Sequence, residues 1–68
     1  VFIIEDDDAI TRILERTLKE FEFAVESFRD GASVLRRLQI KRPDLCICDL
    51  GLPDIDGYEL ARRLRAGA

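Results

Sequence analysis

The 68-residue sequence contains no histidine, which removes a Ser-His-Asp triad, a Cys-His dyad and a His-ligated zinc site from consideration. It has two cysteines, Cys46 and Cys48, spaced C-x-C inside the apolar run LCIC. On a strand such neighbours point to one face and are poorly placed for a disulfide. No further soft ligands exist to build a zinc site, so the pair reads as two small buried hydrophobes in a reducing cytosol. No apolar run approaches the roughly 18 residues of a membrane span, and no basic segment precedes the opening VFII. An excess of basic charge is missing too. Fourteen acidic against eleven basic side chains leave a net charge of −3, which argues against direct nucleic-acid contact. Length is also scarce: a chain this short buries about 60% of its extended surface and forms one small domain at most.

What is present is globular in composition, with 47% apolar and 37% charged residues. Apolar runs alternate with amphipathic stretches three times. Val1–Ile4 is continuously apolar, as expected of a strand covered on both faces. Ile10, Ile13, Leu14, Thr17, Leu18 and Phe21 then fall on one helical stripe, with Asp8 expected as the N-cap. Phe23–Phe28 reads as a second, edge-type strand. Asp30-Gly31 opens a helix carrying Val34, Leu35 and Leu38, which Pro43 is expected to end within a residue or two. Leu45–Cys48 is a third apolar run, ending abruptly at Asp49. Leu50–Asp56 reads as loop, and Asp56 with Glu59 resembles a capping box opening a third helix.

The βαβαβα pattern with short connections predicts an α/β fold with a parallel sheet. If strand 1 lies between strands 2 and 3, the helices fall on opposite faces and a crevice opens where strands 1 and 3 end. Glu5, Asp6 and Asp49 would converge there from distant parts of the chain. Clustered carboxylates repel, and a cation among them removes that cost. A few oxygen ligands with room for water suit Mg²⁺, which keeps positions open for phosphate oxygens. Asp49 could then be a nucleophile toward phosphorus. Capping and dipole effects are the competing account. They serve Asp7 and Asp8 well and Asp49 badly. An EF-hand register on Asp54 and Asp56 fails, because it puts Leu52 and Arg63 at ligand positions. A haloacid-dehalogenase pattern fails at Gly51.

The segments FIIEDDDAI, DGASVLRRL and PDLCICDLGLPDIDGYELARRLR together resemble the first half of a two-component response-regulator receiver domain. The acidic pair after strand 1, the Asp ending strand 3, Pro53 four residues beyond it and Gly57 eight beyond it all match. The resemblance runs through residues 1–68 and covers little more than half of such a domain. It implies a flavodoxin-like three-layer fold with sheet order 2-1-3(-4-5), of which the first βαβαβα portion is present. It further implies Asp49 as phospho-acceptor from a sensor histidine kinase or phosphotransfer protein. Asp6 is then a direct Mg²⁺ ligand, Glu5 the second acid, and the Gly51 backbone carbonyl a further ligand. Pro53 and Gly57 shape the loop.

By the same resemblance a Ser or Thr and a Lys of the family lie beyond Ala68, and the opening mid-strand without methionine also points to a fragment. An unflanked strand 3 would then pair with another copy or swap elements. The implied function is a cytoplasmic phosphorelay receiver, a regulatory module rather than an enzyme. The alternative is a degenerate receiver-like interaction or dimerisation module. A stand-alone phosphatase has no motif here.

Overall fold

The computed structural model describes residues 1–49 and 51–66, so Leu50 of the expected loop lies outside the described residues. Its elements run β1 (Phe2–Ile4), α1 (Asp8–Glu20), β2 (Glu26–Phe28), α2 (Gly31–Leu38), β3 (Cys46–Cys48) and α3 (Gly57–Ala66). The strands form one parallel sheet of order β2-β1-β3, as the alternation of elements predicts. Ile4 stands level with Phe28 on one side and Cys48 on the other. The residues after β1 and β3 therefore leave the sheet side by side.

Side chains alternate across the pleat. Phe2 and Ile4 point into a core with Val34, Leu52 and Leu60, and Phe28, Leu35, Leu38, Cys46, Cys48 and Leu64 pack around it. That is the face covered by α2 and α3. Phe2 and Phe28 meet edge to face, ring centroids 4.9 Å apart. Cys46 and Cys48 share this face as free thiols. Burial raises the pKa of both. The opposite face carries Ile3 and Ser27, and α1 lies there, with Ser27 donating to Glu15 at 2.7 Å.

Several local expectations are corrected. The α1 stripe is not a buried one: Ile13 is 65% and Phe21 72% exposed, and no α1 residue is fully buried. The stripe's periodicity forms the helix, but the sheet under it is too narrow to cover it. Asp7, not Asp8, is the N-cap, accepting from the N–H groups of Ala9 and Ile10 at 2.9 and 3.3 Å. At the other end α1 closes in a Schellman arrangement, with Phe23 N–H donating to Leu18 O and Glu22 N–H to Lys19 O. This puts Glu22 at φ 66°, a left-handed position more usual for glycine. β2 is shorter than FAVESF, running Glu26–Phe28, since Phe23 N–H is taken up by that turn. α2 ends at Leu38, well ahead of Pro43, in a turn where Ile40 and Lys41 donate to Arg37 O. Asp56 does cap α3, accepting from Glu59 N–H at 2.8 Å. Glu59's own carboxylate turns to Arg62 and Arg63 instead of closing the box. Among the described residues no helix is long and apolar enough to cross a membrane.

Candidate metal centre

The backbone at the carboxyl edge of the sheet sets the site. Asp49 N–H donates to Ile4 O and Glu5 N–H to Phe28 O, both at 2.9 Å, so the ladders continue one residue past the strands. Glu5 and Asp49 are thereby held level at the ends of adjacent strands. Carboxylate oxygens of Glu5, Asp6 and Asp49 lie within 4.8 Å of one another. The four consecutive acids divide their work. Glu5 and Asp6 turn to Asp49, Asp7 caps α1, and Asp8 pairs with Arg29 at the end of β2.

The three clustered acids are not equivalent. Glu5 is only 8% exposed, the one buried charged residue among the described residues. Burial pushes its carboxyl above the ordinary value, and a hydrogen bond to Asp49 and the charges of Asp49, Asp6 and Asp7 push the same way. Asp49 goes down instead. The Gly51 N–H, 3.1 Å from its Oδ1, stabilises the ionised form, and hydrogen bonds from Glu5 and Asp6 add to this. The two carboxyls are thus pushed in opposite directions, Glu5 toward its neutral form and Asp49 toward its ionised one. Three hard oxygen donors of one sign, one of them desolvated, form a donor set that fits a small divalent cation.

Of the other predicted site residues, Gly51 contributes its N–H to Asp49 and has no close neighbour around a would-be Cβ except Asp49 Oδ1 at 3.8 Å. Pro53 is exposed, and Gly57 is buried as the first residue of α3. The sequence brings up Asp54 only in the EF-hand register that fails; in the structure it reaches back to α2, accepting from Gly31 N–H through Oδ1 and Ala32 N–H through Oδ2, both at 2.8 Å. The signal lay in a count of helix-end donors: Asp30 accepts only from Ser33 N–H at 2.8 Å, which leaves the first two N–H groups of α2 to be satisfied from elsewhere.

A family model described as response regulator receiver domain matches residues 1–68. The chain is 44% identical over 66 residues to the transcriptional regulatory protein CreB of Escherichia coli K12, covering 97% of this chain and 29% of that protein. It is 43% identical over 65 residues to the transcriptional regulatory protein AfsQ1 of Streptomyces coelicolor, covering 96% of this chain and 29% of that one. The DNA-binding transcriptional regulator NtrC of Escherichia coli K12 is 34% identical over 65 residues, covering 96% of this chain and 14% of NtrC. The chain thus spans less than a third of the length of these curated relatives.

Proposed function

The chain belongs to the response regulator receiver domain family of two-component systems, and from that premise we propose that Asp49 accepts a phosphoryl group from the phosphohistidine of a sensor histidine kinase or phosphotransfer protein. An Asp49 carboxylate oxygen forms the new bond to phosphorus as the bond from phosphorus to the imidazole nitrogen breaks, and the imidazole leaves with that electron pair. The observation that carries the reading is the convergence of the Glu5, Asp6 and Asp49 carboxylates at the carboxyl edge of the sheet.

Glu5, Asp6 and Asp49 would hold Mg²⁺, with the Gly51 carbonyl as a further ligand. When bound, the ion supplies positive charge to the phosphoryl oxygens. The Gly51 N–H orients Asp49, and Pro53 and Gly57 shape the loop that follows. The module catalyses only its own phosphorylation and dephosphorylation, in the cytoplasm, without touching nucleic acid itself. By analogy with its relatives, an output domain in the same protein would read the switch.

A degenerate interaction module is the weaker reading, because it has no use for an intact acid triplet. Among the described residues the outer edge of β3 has no strand beside it, which supports pairing of this chain with a second copy or a swap of elements; light scattering checks this, and a monodisperse monomer removes that proposal. The phosphoacceptor assignment is tested on the full-length protein with acetyl phosphate and Mg²⁺. A phosphate mass adduct present in the parent and missing in Asp49→Asn is expected. No adduct on the parent overturns the reading.

A further inference from the structure

We propose that Asp54 is a positioning residue for the acid pocket: its carboxylate clamps the segment following Asp49 onto the first turn of α2 and so sets the conformation in which Asp49 and Gly51 face Glu5 and Asp6. The proposal rests on the phosphoacceptor reading for its functional meaning, though not for its geometry.

Three features of the contact bear on it. Both Asp54 oxygens are engaged, each at 2.8 Å, by successive backbone N–H groups more than twenty residues away in sequence. Both donors sit at the positive end of the α2 dipole, where a carboxylate is favoured. The segment also lies flat on the helix. A Cβ built on Gly31 would stand 2.0 Å from Ile55 Cγ2 and 3.2 Å from both Ile55 Cβ and Asp54 Oδ1, so the close approach is possible only over a glycine. Gly31 has no positive φ, and this closeness is the reason for its identity.

The clamp is one of three side-chain anchors on residues 51–56. The others are Leu52, buried in the core among Phe2, Ile4, Val34 and Leu60, and Ile55, which packs against that core and over Gly31. On the Asp49 side the segment is tied to β1 by Asp49 N–H and turned by the Gly51 N–H on Asp49 Oδ1. Releasing Asp54 leaves the apolar contacts of Leu52 and Ile55 between that turn and the α3 cap at Asp56, and removes the directional tie to α2. The turn that orients the acceptor carboxylate then loses that restraint. Groups hydrogen-bonded directly to a metal ligand alter affinity by about tenfold or more when removed, and Asp54, which acts through the backbone, should do less.

The test uses the full-length protein and the variants Asp54→Ala, Asp54→Asn and Leu38→Ala. Leu38 is the last residue of α2, at the opposite end from Gly31, and packs against the core, so it reports what lost stability alone does. Two readouts are followed: amide and side-chain carboxyl resonances of Gly51 and Asp49 in metal-free protein, and Mg²⁺ affinity by calorimetry. Asp54→Ala is expected to speed hydrogen exchange at Gly31, shift the Gly51 and Asp49 resonances, and weaken Mg²⁺ binding by less than the roughly tenfold that losing a direct partner of a ligand costs. Asp54→Asn, which keeps one acceptor oxygen, should fall between it and the parent. Leu38→Ala should leave both pocket readouts at parent values. Unmoved Gly51 and Asp49 resonances in Asp54→Ala overturn the proposal, as does an equal effect from Leu38→Ala. A parent that binds no Mg²⁺ overturns the phosphoacceptor reading alone, and the metal-free resonances still decide the role of Asp54.

Discussion

Gly31→Ala pits a local preference against a tertiary contact, and the magnitudes decide the sign. Gly31 is the first residue of α2, and its φ is not positive, so alanine fits the backbone. Helix propensity alone favours alanine by about 1 kcal/mol, less at a helix's first position. Against this stands a Cβ 2.0 Å from Ile55 Cγ2, where ordinary carbon contacts begin near 3.5 Å. Rotating χ1 of Ile55 moves Cγ2 away, but Ile55 Cβ itself is 3.2 Å from the new atom and does not move with that rotation. The backbone of the segment must therefore lift. Overpacking of this sort costs about 1–3 kcal/mol. Lifting the segment also lengthens the two Asp54 bonds, each to a charged acceptor and worth about 1.5–3 kcal/mol, part of which water restores at the exposed Ala32 N–H. The net expectation is a loss of about 2–4 kcal/mol. With a urea m-value near 2 kcal/mol/M, the unfolding midpoint of the full-length protein falls by about 1–2 M. Adding Ile55→Ala, which deletes Cγ2, should recover part of that loss as a measurable coupling. A midpoint that is unchanged or higher in Gly31→Ala, or a double variant that is simply additive, refutes the reasoning.

Stability should also depend on pH through Glu5. Its folded value is raised, so its contribution is fully present below the ordinary 4.5 and is lost as pH rises through the raised value. Metal-free protein should therefore melt higher as pH is lowered through that raised value, Mg²⁺ should flatten that slope, and Glu5→Gln should abolish it; an unchanged slope in Glu5→Gln contradicts the assignment. Asp49, Asp30 and Glu26 have lowered values, so what they add is lost only on further acidification through those values, in a separate window. Glu22→Gly removes a left-handed non-glycine residue from the α1 terminus and should raise stability by about 1 kcal/mol in urea unfolding. Asp7→Ala should lose about 1 kcal/mol as a true N-cap and Asp8→Ala less, an order that chemical denaturation of the two variants checks.

Much of this protein follows from order along the chain. The alternation of apolar runs with amphipathic stretches dictates a parallel sheet, because parallel strands need helical crossovers. With β1 central, Glu5 and Asp49 must emerge together, and a run of acids after β1 facing an Asp after β3 is visible as letters. Both signals are periodic or positional. Neither needs a side-chain contact to be read.

Three matters were left to tertiary structure. Which acid of the DDD run caps α1 depends on where the helix begins, a choice of one residue between near-equal candidates. How far the α1 stripe is covered depends on the width of the sheet beneath it, and Ile13 and Phe21 have identical patterns to buried residues yet stay exposed. Asp54 is the clearest case. Within its own segment it is one more loop acid before a helix, and only the approach of that loop to Gly31 makes it the cap of a helix twenty-odd residues upstream. Patterns of hydrophobicity and charge specify elements and their order, since those are set by neighbours in sequence. Contacts between a loop and a distant helix end are set by how closely two backbones approach, and that distance is a property of the packed whole.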